Sequence, residues 1–514
     1  MARLHERGWI QVTLVLLACA AVFWPLLGQG GLAMTEGHRV IPAWEMLASG
    51  DWLTTRMFGT AYVRKPPGIA WLIALSSMLF GQTEWAARAA LASCATLMAL
   101  VALAFGRRWF GARWGIGAGL AQALSPLMWE VGRSAEIEAL HALGVQLCAL
   151  ACIDLTRSSR ARQGAWMAGL VAIGVFVAAL SKGPAGAPVV VGALVGGVFA
   201  RRSIRALRSP WLWVGLGAGA IASGGMFLLL ARALGDEPAV RAAPASHLWS
   251  APVTQILALG PTGFVYALPL SLALLRPWGP DARREGDADE REAGVLECAR
   301  ALAWAWVVAM ALWTAIGLSN PRYVMPGVVV LAPLAAYALR GAFRAGAFTE
   351  RRRMIARWMF LGRPAVWVIL LLGGAWVYIG SREAGVRASS GREAGGRMGR
   401  ALVRTLEDLP ELDRRVLIAD DAIEARPEAL QEIRRTLREA GLGEAVEIRW
   451  TPWGAEDGPP PGWDLALIRA DGESTELGNF AELIEQGRVG LIDEQRISKY
   501  VYRLYLHRDE APMP

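Results

Sequence analysis

The chain has 514 residues, 54% hydrophobic and only 19% charged, with 53 Lys+Arg against 45 Asp+Glu and a formal net charge of +8. Soluble domains carry about 25% charged residues, and the deficit here is concentrated before position 380, where apolar runs of helix-spanning length recur. That balance excludes a cytosolic enzyme, a disordered scaffold and a disulfide-stapled secreted domain. The five cysteines form no CxxC pair, so neither a disulfide framework nor a Cys-based zinc site is implied.

About 20 apolar residues of helix cross the hydrocarbon core. By that measure eleven spans are expected, near 9–27, 86–105, 114–130, 138–155, 165–179, 188–200, 211–233, 261–275, 301–318, 323–339 and 358–379. The first follows Arg3 and Arg7 but has no A-x-A site after it, so it reads as a retained span. Counting from a cytoplasmic N-terminus, every strongly basic short loop falls on one side: Arg107, Arg108 and Arg113; Arg157, Arg160 and Arg162; Arg201, Arg202, Arg205 and Arg208; and Arg340 through Arg353. The positive-inside rule is thereby met, and the odd count puts the tail on the outer, periplasm-like face.

The fold class expected is therefore a polytopic α-helical membrane protein with a small C-terminal α/β domain on the outer face. The membrane domain takes 1–380, including a long first outer loop at 28–82 in which 69–80 is too short to span and reads as an interfacial helix. A Gly/Ser/Arg linker follows at 381–400. In 401–514, β-type runs at 416–419, 445–450, 464–469 and 500–507 interleave with helical patterns at 427–440 and 480–486, a βαβ-like order. It contains no Walker or GxGxxG phosphate loop, and no nucleic-acid partner is expected.

The chemistry-bearing residues gather in the outer loops. Glu36 follows the first span, and Glu136 and Glu138 lie at the mouth of the fourth. A carboxylate partly desolvated at the edge of the apolar slab is a better proton acceptor than one in bulk water. Arg133, Lys182, Arg241 and Arg322 lie beside outer span ends, and His247 and Trp249 occupy the outer segment at 234–259, a set suited to clamping an anionic phosphate. For each alone, a headgroup-level charge or a snorkelling cation is the alternative reading. Their pairing with Pro/Gly turns, Lys65-Pro-Pro, Lys182-Gly-Pro and Asn320-Pro-Arg-Tyr, favours a built site.

Thr35-Glu-Gly-His-Arg39, Glu45 to Trp52, Tyr62-Val-Arg-Lys-Pro-Pro67 and Glu84-Trp-Ala-Ala-Arg88 resemble the first outer loop of the dolichyl- or undecaprenyl-phosphate-sugar glycosyltransferases. That group contains the aminoarabinose transferase that modifies lipid A and the protein O-mannosyltransferases. Gly132 to Leu140, Ser181-Lys-Gly-Pro184 and Pro321-Arg-Tyr-Val-Met-Pro326 follow in the order of that membrane fold, known as GT-C.

The resemblance covers roughly 9–340 and implies inverting transfer of a sugar from a polyprenyl-phosphate carrier to a lipid, glycan or protein acceptor at the outer face of the bacterial inner membrane. Family members open the first loop with an acidic pair; here Thr35 replaces its first member, which makes Glu36 the candidate base. Glu138 matches the second acidic position, and Lys65 matches the lysine placed near the lipid phosphate. Arg64 stands where an acidic residue is common, implying a donor or acceptor of different charge. His38, Arg64, Lys65, Arg133, Glu136, Lys182, His247, Arg322 and Tyr323 complete the expected substrate-binding set. No cofactor is required, because fixed cations can neutralise the leaving group, although Glu36 and Glu138 could hold Mg or Mn if they met. The alternative function is a lipid-linked-sugar transporter or flippase, whose midplane ionisable sites are almost absent from these spans; His141, inside the fourth, reads as a lone histidine satisfying a local hydrogen bond.

Overall fold

The computed structural model describes residues 8–32, 35–62, 64–157, 161–235, 274, 277, 290–316, 325–344, 372–381, 391–408, 415–419, 427–442, 447–451, 465–470, 489–497 and 500–507. The chain divides into two compact units. One holds Met1–Gly28, Gly50–Thr55 and Ala61–Gly380; the other holds Gln29–Ser49, Arg56–Thr60 and Ser381–Pro514. Part of the first outer loop thus belongs with the tail, whereas the sequence suggested a tail unit of 401–514 alone.

The first unit is helical. Its elements are α1 (Gly8–Phe23), α3 (Gly68–Phe80), α4 (Glu84–Phe110), α5 (Gly115–Ala123), α6 (Pro126–Val131), α7 (Glu138–Leu155), α8 (Ala161–Lys182), α9 (Ala187–Arg201), α10 (Pro210–Leu234), α11 (Glu290–Ile316), α12 (Met325–Val328) and α13 (Leu331–Arg344), with α2 (Gly37–Ser49) falling in the other unit. Among the described residues, five stretches are long and apolar enough to cross a membrane: Glu84–Phe110, Glu138–Leu155, Gln163–Arg201, Pro210–Leu234 and Glu292–Ala315. Gly8–Phe23, Gly68–Phe80 and Met325–Gly341 are shorter apolar helices.

Two expected spans are broken. The run at 114–130 is α5 and α6, separated at Leu124–Ser125 because Pro126 cannot continue a helix but suits the first turn of a new one. Of the run at 323–339, the described residues from 325 on form α12 and part of α13. The expected span at 261–275 lies almost wholly outside the described residues; of 358–379 the structure describes 372–379, which are helical.

Small residues set the helix contacts, as they do where lipid supplies no drive for association. A methyl on Gly144 would lie 2.6 Å from the Ala178 amide nitrogen, and one on Gly174 would lie 2.6 Å from both Cys148 N and Gly144 O, so α7 and α8 touch backbone to backbone. Gly192 and Gly196 bring α9 equally close to Ala305 and Ala301 of α11. Arginines tie up the end of α1: Arg88 Nη1 donates to Leu27 O at 2.8 Å, and Arg133 Nη1 to Val22 O at 3.1 Å and Phe23 O at 3.3 Å. Carbonyls in the last turn of a helix and just beyond it have no intrahelical donor, so these bonds complete that end. At the other end of the bundle Asp154 accepts from Arg108 Nε and Nη2, both at 2.7 Å, and from Trp109 Nε1 at 2.9 Å.

The second unit contains α2, the turn between β1 (Arg56–Met57) and β2 (Thr60–Ala61), helices α14 (Gly391–Asp408) and α15 (Pro427–Glu439), and strands β3 (Arg415–Ala419), β4 (Glu447–Thr451), β5 (Leu465–Ala470), β6 (Val489–Ile497) and β7 (Tyr500–His507). The sheet order is β4-β3-β5-β7-β6. β3 is parallel to β4 and β5, while β7 is antiparallel to β5 and β6, with an irregularity between Leu491 and Asp493.

The second half of the expected linker, 391–400, is helix. Met398, Leu402 and Leu406 recur every four residues on one buried face. Gly395 and Gly399 let α14 lie against Ala429 and Thr436 of α15, where a side chain would collide. A glycine-rich composition that reads as a flexible linker is here a close helix crossing.

Candidate active site

The best-defined cluster lies in the helical unit, where the start of α7, the end of α8 and the start of α3 meet. Glu138 opens α7 and Lys182 closes α8, each placed where its charge complements the helix dipole. Lys182 Nζ donates to Glu138 Oε1 at 3.1 Å, with side chains only 10% and 9% exposed. Gly183, at φ +63°, and Pro184 then end α8 and start the short 3₁₀ turn Gly183–Gly186.

His141 lies one turn beyond Glu138 on the same face of α7. Its Nδ1 is 3.1 Å from Ala178 O and 3.2 Å from Ser181 Oγ, and Ser181 Oγ itself donates to Ala178 O at 2.9 Å. A carbonyl only accepts, so Nδ1 carries a proton. Nε2 is buried and has no hydrogen-bond partner among the described residues; it faces Gly186, on which a methyl would lie 3.1 Å away. The ring thus ties α7 to the turn just before Lys182 and lies within the fields of Lys182, Glu138 and Lys65.

Lys65 reaches this region through its own turn. Pro67 precedes α3, and Gly68 packs so closely on α8 that a methyl there would sit 2.6 Å from Leu180 O. Only glycine fits, and the fit fixes the Lys65-Pro-Pro turn beside the residues leading into Lys182. Lys65 is half-buried and Arg64 exposed.

The structure uses other expected site residues differently. Arg133 is fully enclosed, and its Nη1 is spent on the α1 carbonyls, a helix-end role where contact with substrate was expected. Glu136 is buried in the turn before α7. Glu36 and His38 are buried in the other unit, where Glu36 O accepts from Arg39 N and Val40 N, both at 2.9 Å, and so starts α2. His247, Arg322 and Tyr323 lie outside the described residues, as do Arg241 and Trp249. Among the described residues no group of three or more His, Cys, Asp or Glu side chains is arranged to hold a metal ion.

By sequence alone His141 is one histidine inside the apolar run at 138–155, a position where a local hydrogen bond is the ordinary role. It makes such a bond, but the partner is the Lys182 turn, and the i, i+3 spacing from Glu138 was the available signal. Glu45, quoted only within a motif, was missed as a structural centre: its carboxylate accepts from Phe58 N at 2.7 Å and Gly59 N at 3.1 Å.

Residues 64–243 match the family model described as dolichyl-phosphate-mannose-protein mannosyltransferase, a range that includes Lys65, Glu138, His141 and Lys182. The chain is 28% identical over 203 residues to the undecaprenyl phosphate-alpha-4-amino-4-deoxy-L-arabinose arabinosyl transferase of Edwardsiella ictaluri, a match covering 39% of this chain and 36% of that protein. A relative of the same description from Pseudomonas savastanoi is 41% identical over 66 residues, covering 13% of this chain and 12% of that one. The chain thus spans about a third or less of the length of these curated relatives. The crystal structure of ArnT from Cupriavidus metallidurans bound to undecaprenyl phosphate aligns over 97% of this chain and 98% of that one, with a TM-score of 0.64 at 20% identity. The same protein's apo structure aligns equally far at 0.62. The chain thus shares its fold with the ArnT structures over nearly its whole length, and residues 64–243 are similar to the mannosyltransferase family model.

Proposed function

We propose that this protein is a multi-pass membrane glycosyltransferase that moves a sugar from a polyprenyl-phosphate donor to a lipid, glycan or protein acceptor, with inversion at the anomeric carbon. The observation that carries the reading is the buried Lys182–Glu138 pair, with His141 bonding the end of α8 beside it and the Lys65 turn flanking it, inside the segment matched to the mannosyltransferase family model. Two lysines beside a carboxylate at helix ends suit an anionic headgroup at the membrane edge.

In this reading Glu36 takes the proton of the acceptor nucleophile as the bond to the anomeric carbon forms. The bond from that carbon to the phosphate oxygen breaks, and its electron pair leaves with the polyprenyl phosphate. Lys65 and Lys182 neutralise that charge, as does Arg322. Electrostatic stabilisation of this kind supplies most of the rate, and a positioned base about 10² to 10⁴. Fixed cations supply the neutralisation, so the reaction as proposed needs no divalent ion.

The same reading has eleven spans, a cytoplasmic N-terminus and the α/β tail on the outer side, supported by the one-sided distribution of basic loops. A transporter is disfavoured because the buried Glu–Lys pair sits at helix ends, away from mid-span.

The test is transfer in membranes supplied with radiolabelled polyprenyl-phosphate sugars, comparing wild type with Glu36→Gln and Glu138→Gln at matched folded amounts. Label passing from lipid to acceptor in wild type, and lost in Glu36→Gln, supports transferase and base together. A broad donor panel left unconsumed rejects the enzyme, and normal transfer by both variants rejects the carboxylate roles.

A further inference from the structure

Within the second unit an ion pair joins α2 of the first outer loop to α15 of the tail. Arg434 of α15 donates from Nη1 to Glu45 Oε1 of α2 at 3.2 Å, and its guanidinium carbon lies 5.0 Å from the centre of the Phe58 ring. Glu45 accepts at the same time from the backbone N–H groups of Phe58 and Gly59. Those two residues form the turn between β1 and β2, and both have positive φ, +54° for Phe58 and +83° for Gly59. Gly59 adopts that conformation freely; Phe58 is a bulky residue in the left-handed region, which persists only where its surroundings hold it. Burial pulls the Arg434 guanidinium below its ordinary pKa while Glu45 pushes it back up, the pattern of a cation withdrawn from water toward one partner.

We propose that Arg434 and Glu45 form a latch through which the tail positions the catalytic loop, clamping the Phe58–Gly59 turn and fixing α2, the helix that Glu36 starts. Arg434 is a positioning residue: it acts through Glu45 and touches no reacting atom. The proposal rests on the transferase reading for its catalytic consequence, but the latch is a property of the fold.

Amide hydrogen exchange on the full-length protein in nanodiscs tests the latch without any donor. Losing a hydrogen bond to a charged group is worth about tenfold or more in a local opening equilibrium. Arg434→Met is therefore expected to speed exchange about tenfold at 37–49 and at Phe58 and Gly59, while 489–507 keeps its protection; Arg434→Lys, which keeps the charge, shows a smaller rise. In transfer assays Arg434→Met is expected to lower kcat with KM for the donor unchanged, and Arg434→Lys to recover part of it. Should Arg434→Met also open 489–507, Glu45→Gln decides from the other side, since it leaves α15 intact, and it is expected to loosen the same two segments. Unchanged exchange at 37–59 in a folded Arg434→Met or in Glu45→Gln overturns the latch. So does a rise in donor KM at constant kcat. A wild type that consumes no donor rejects the transferase and leaves the exchange result to judge the latch.

Discussion

Lys182 and Glu138 end and begin adjacent helices, and their side chains meet at 3.1 Å with about a tenth of their surface exposed. A buried pair is costly to break from one side, because the survivor stays charged without compensation, at about 3–5 kcal/mol. Lys182→Met and Glu138→Gln are each expected to lower the thermal midpoint. Glu138→Gln should do so less, since the amide still accepts from Lys182. The double variant Lys182→Met/Glu138→Gln removes both charges and should regain stability relative to Lys182→Met, yet stay inactive in sugar transfer. Recovery of transfer along with stability would make the pair purely structural.

The proposed neutralisation by lysines predicts how transfer responds to chelation. Transfer in detergent after EDTA treatment and exchange into metal-free buffer is expected to stay within about twofold of the untreated rate, because fixed cations supply the electrostatic stabilisation. Loss of transfer restored by Mg or Mn would show that Glu36 or Glu138 serves a metal.

The sequence revealed some of this site and concealed the rest for identifiable reasons. The boundaries of α7 coincide with the apolar run at 138–155, since a charge at one end and a polar turn at the other punctuate it. The break between α5 and α6 escaped because averaging apolarity over 114–130 outweighed the single Ser125-Pro126 step. Strand β6 escaped because Asp493, Glu494 and Gln495 interrupt its alternation beside the irregularity at Leu491 and Asp493. Lys182 and Glu138 were each visible as outer-loop charges, but their pairing depends on Gly144 and Gly174 bringing α7 and α8 together. A glycine gives no sign in sequence of which backbone it will touch. The tie of Glu45 to Arg434 crosses 389 positions and was invisible to any local pattern.

Gly68 makes that dependence measurable. A methyl there meets the Leu180 carbonyl, so Gly68→Ala must push α3 from α8 and carry the Lys65 turn with it. Forced overpacking costs about 1–3 kcal/mol. The expected result is a modest fall in thermal midpoint with a larger fall in transfer, and a raised KM for the donor because Lys65 no longer sits beside the Lys182 turn. Gly169, whose added Cβ meets nothing within 4 Å, is the control, and Gly169→Ala is expected to leave both properties unchanged.

Arg88 offers the contrasting case of a buried charge serving the fold. It is 1% exposed, and its Nη1 bonds the carbonyl of Leu27, just beyond α1 and at the entrance to the first outer loop. Removing the donor leaves a buried acceptor unsatisfied, at about 1–3 kcal/mol. Arg88→Met is expected to lower the thermal midpoint and to increase cleavage of the first outer loop by added protease, while the folded fraction keeps the wild-type KM for the donor. Arg88→Lys should fall between the two, since its single ammonium lacks the planar fork that spans partners of fixed geometry. A changed KM with an unchanged midpoint would instead move Arg88 from the helix end into the donor site, and the motif Glu84-Trp-Ala-Ala-Arg88 would then be read as substrate recognition.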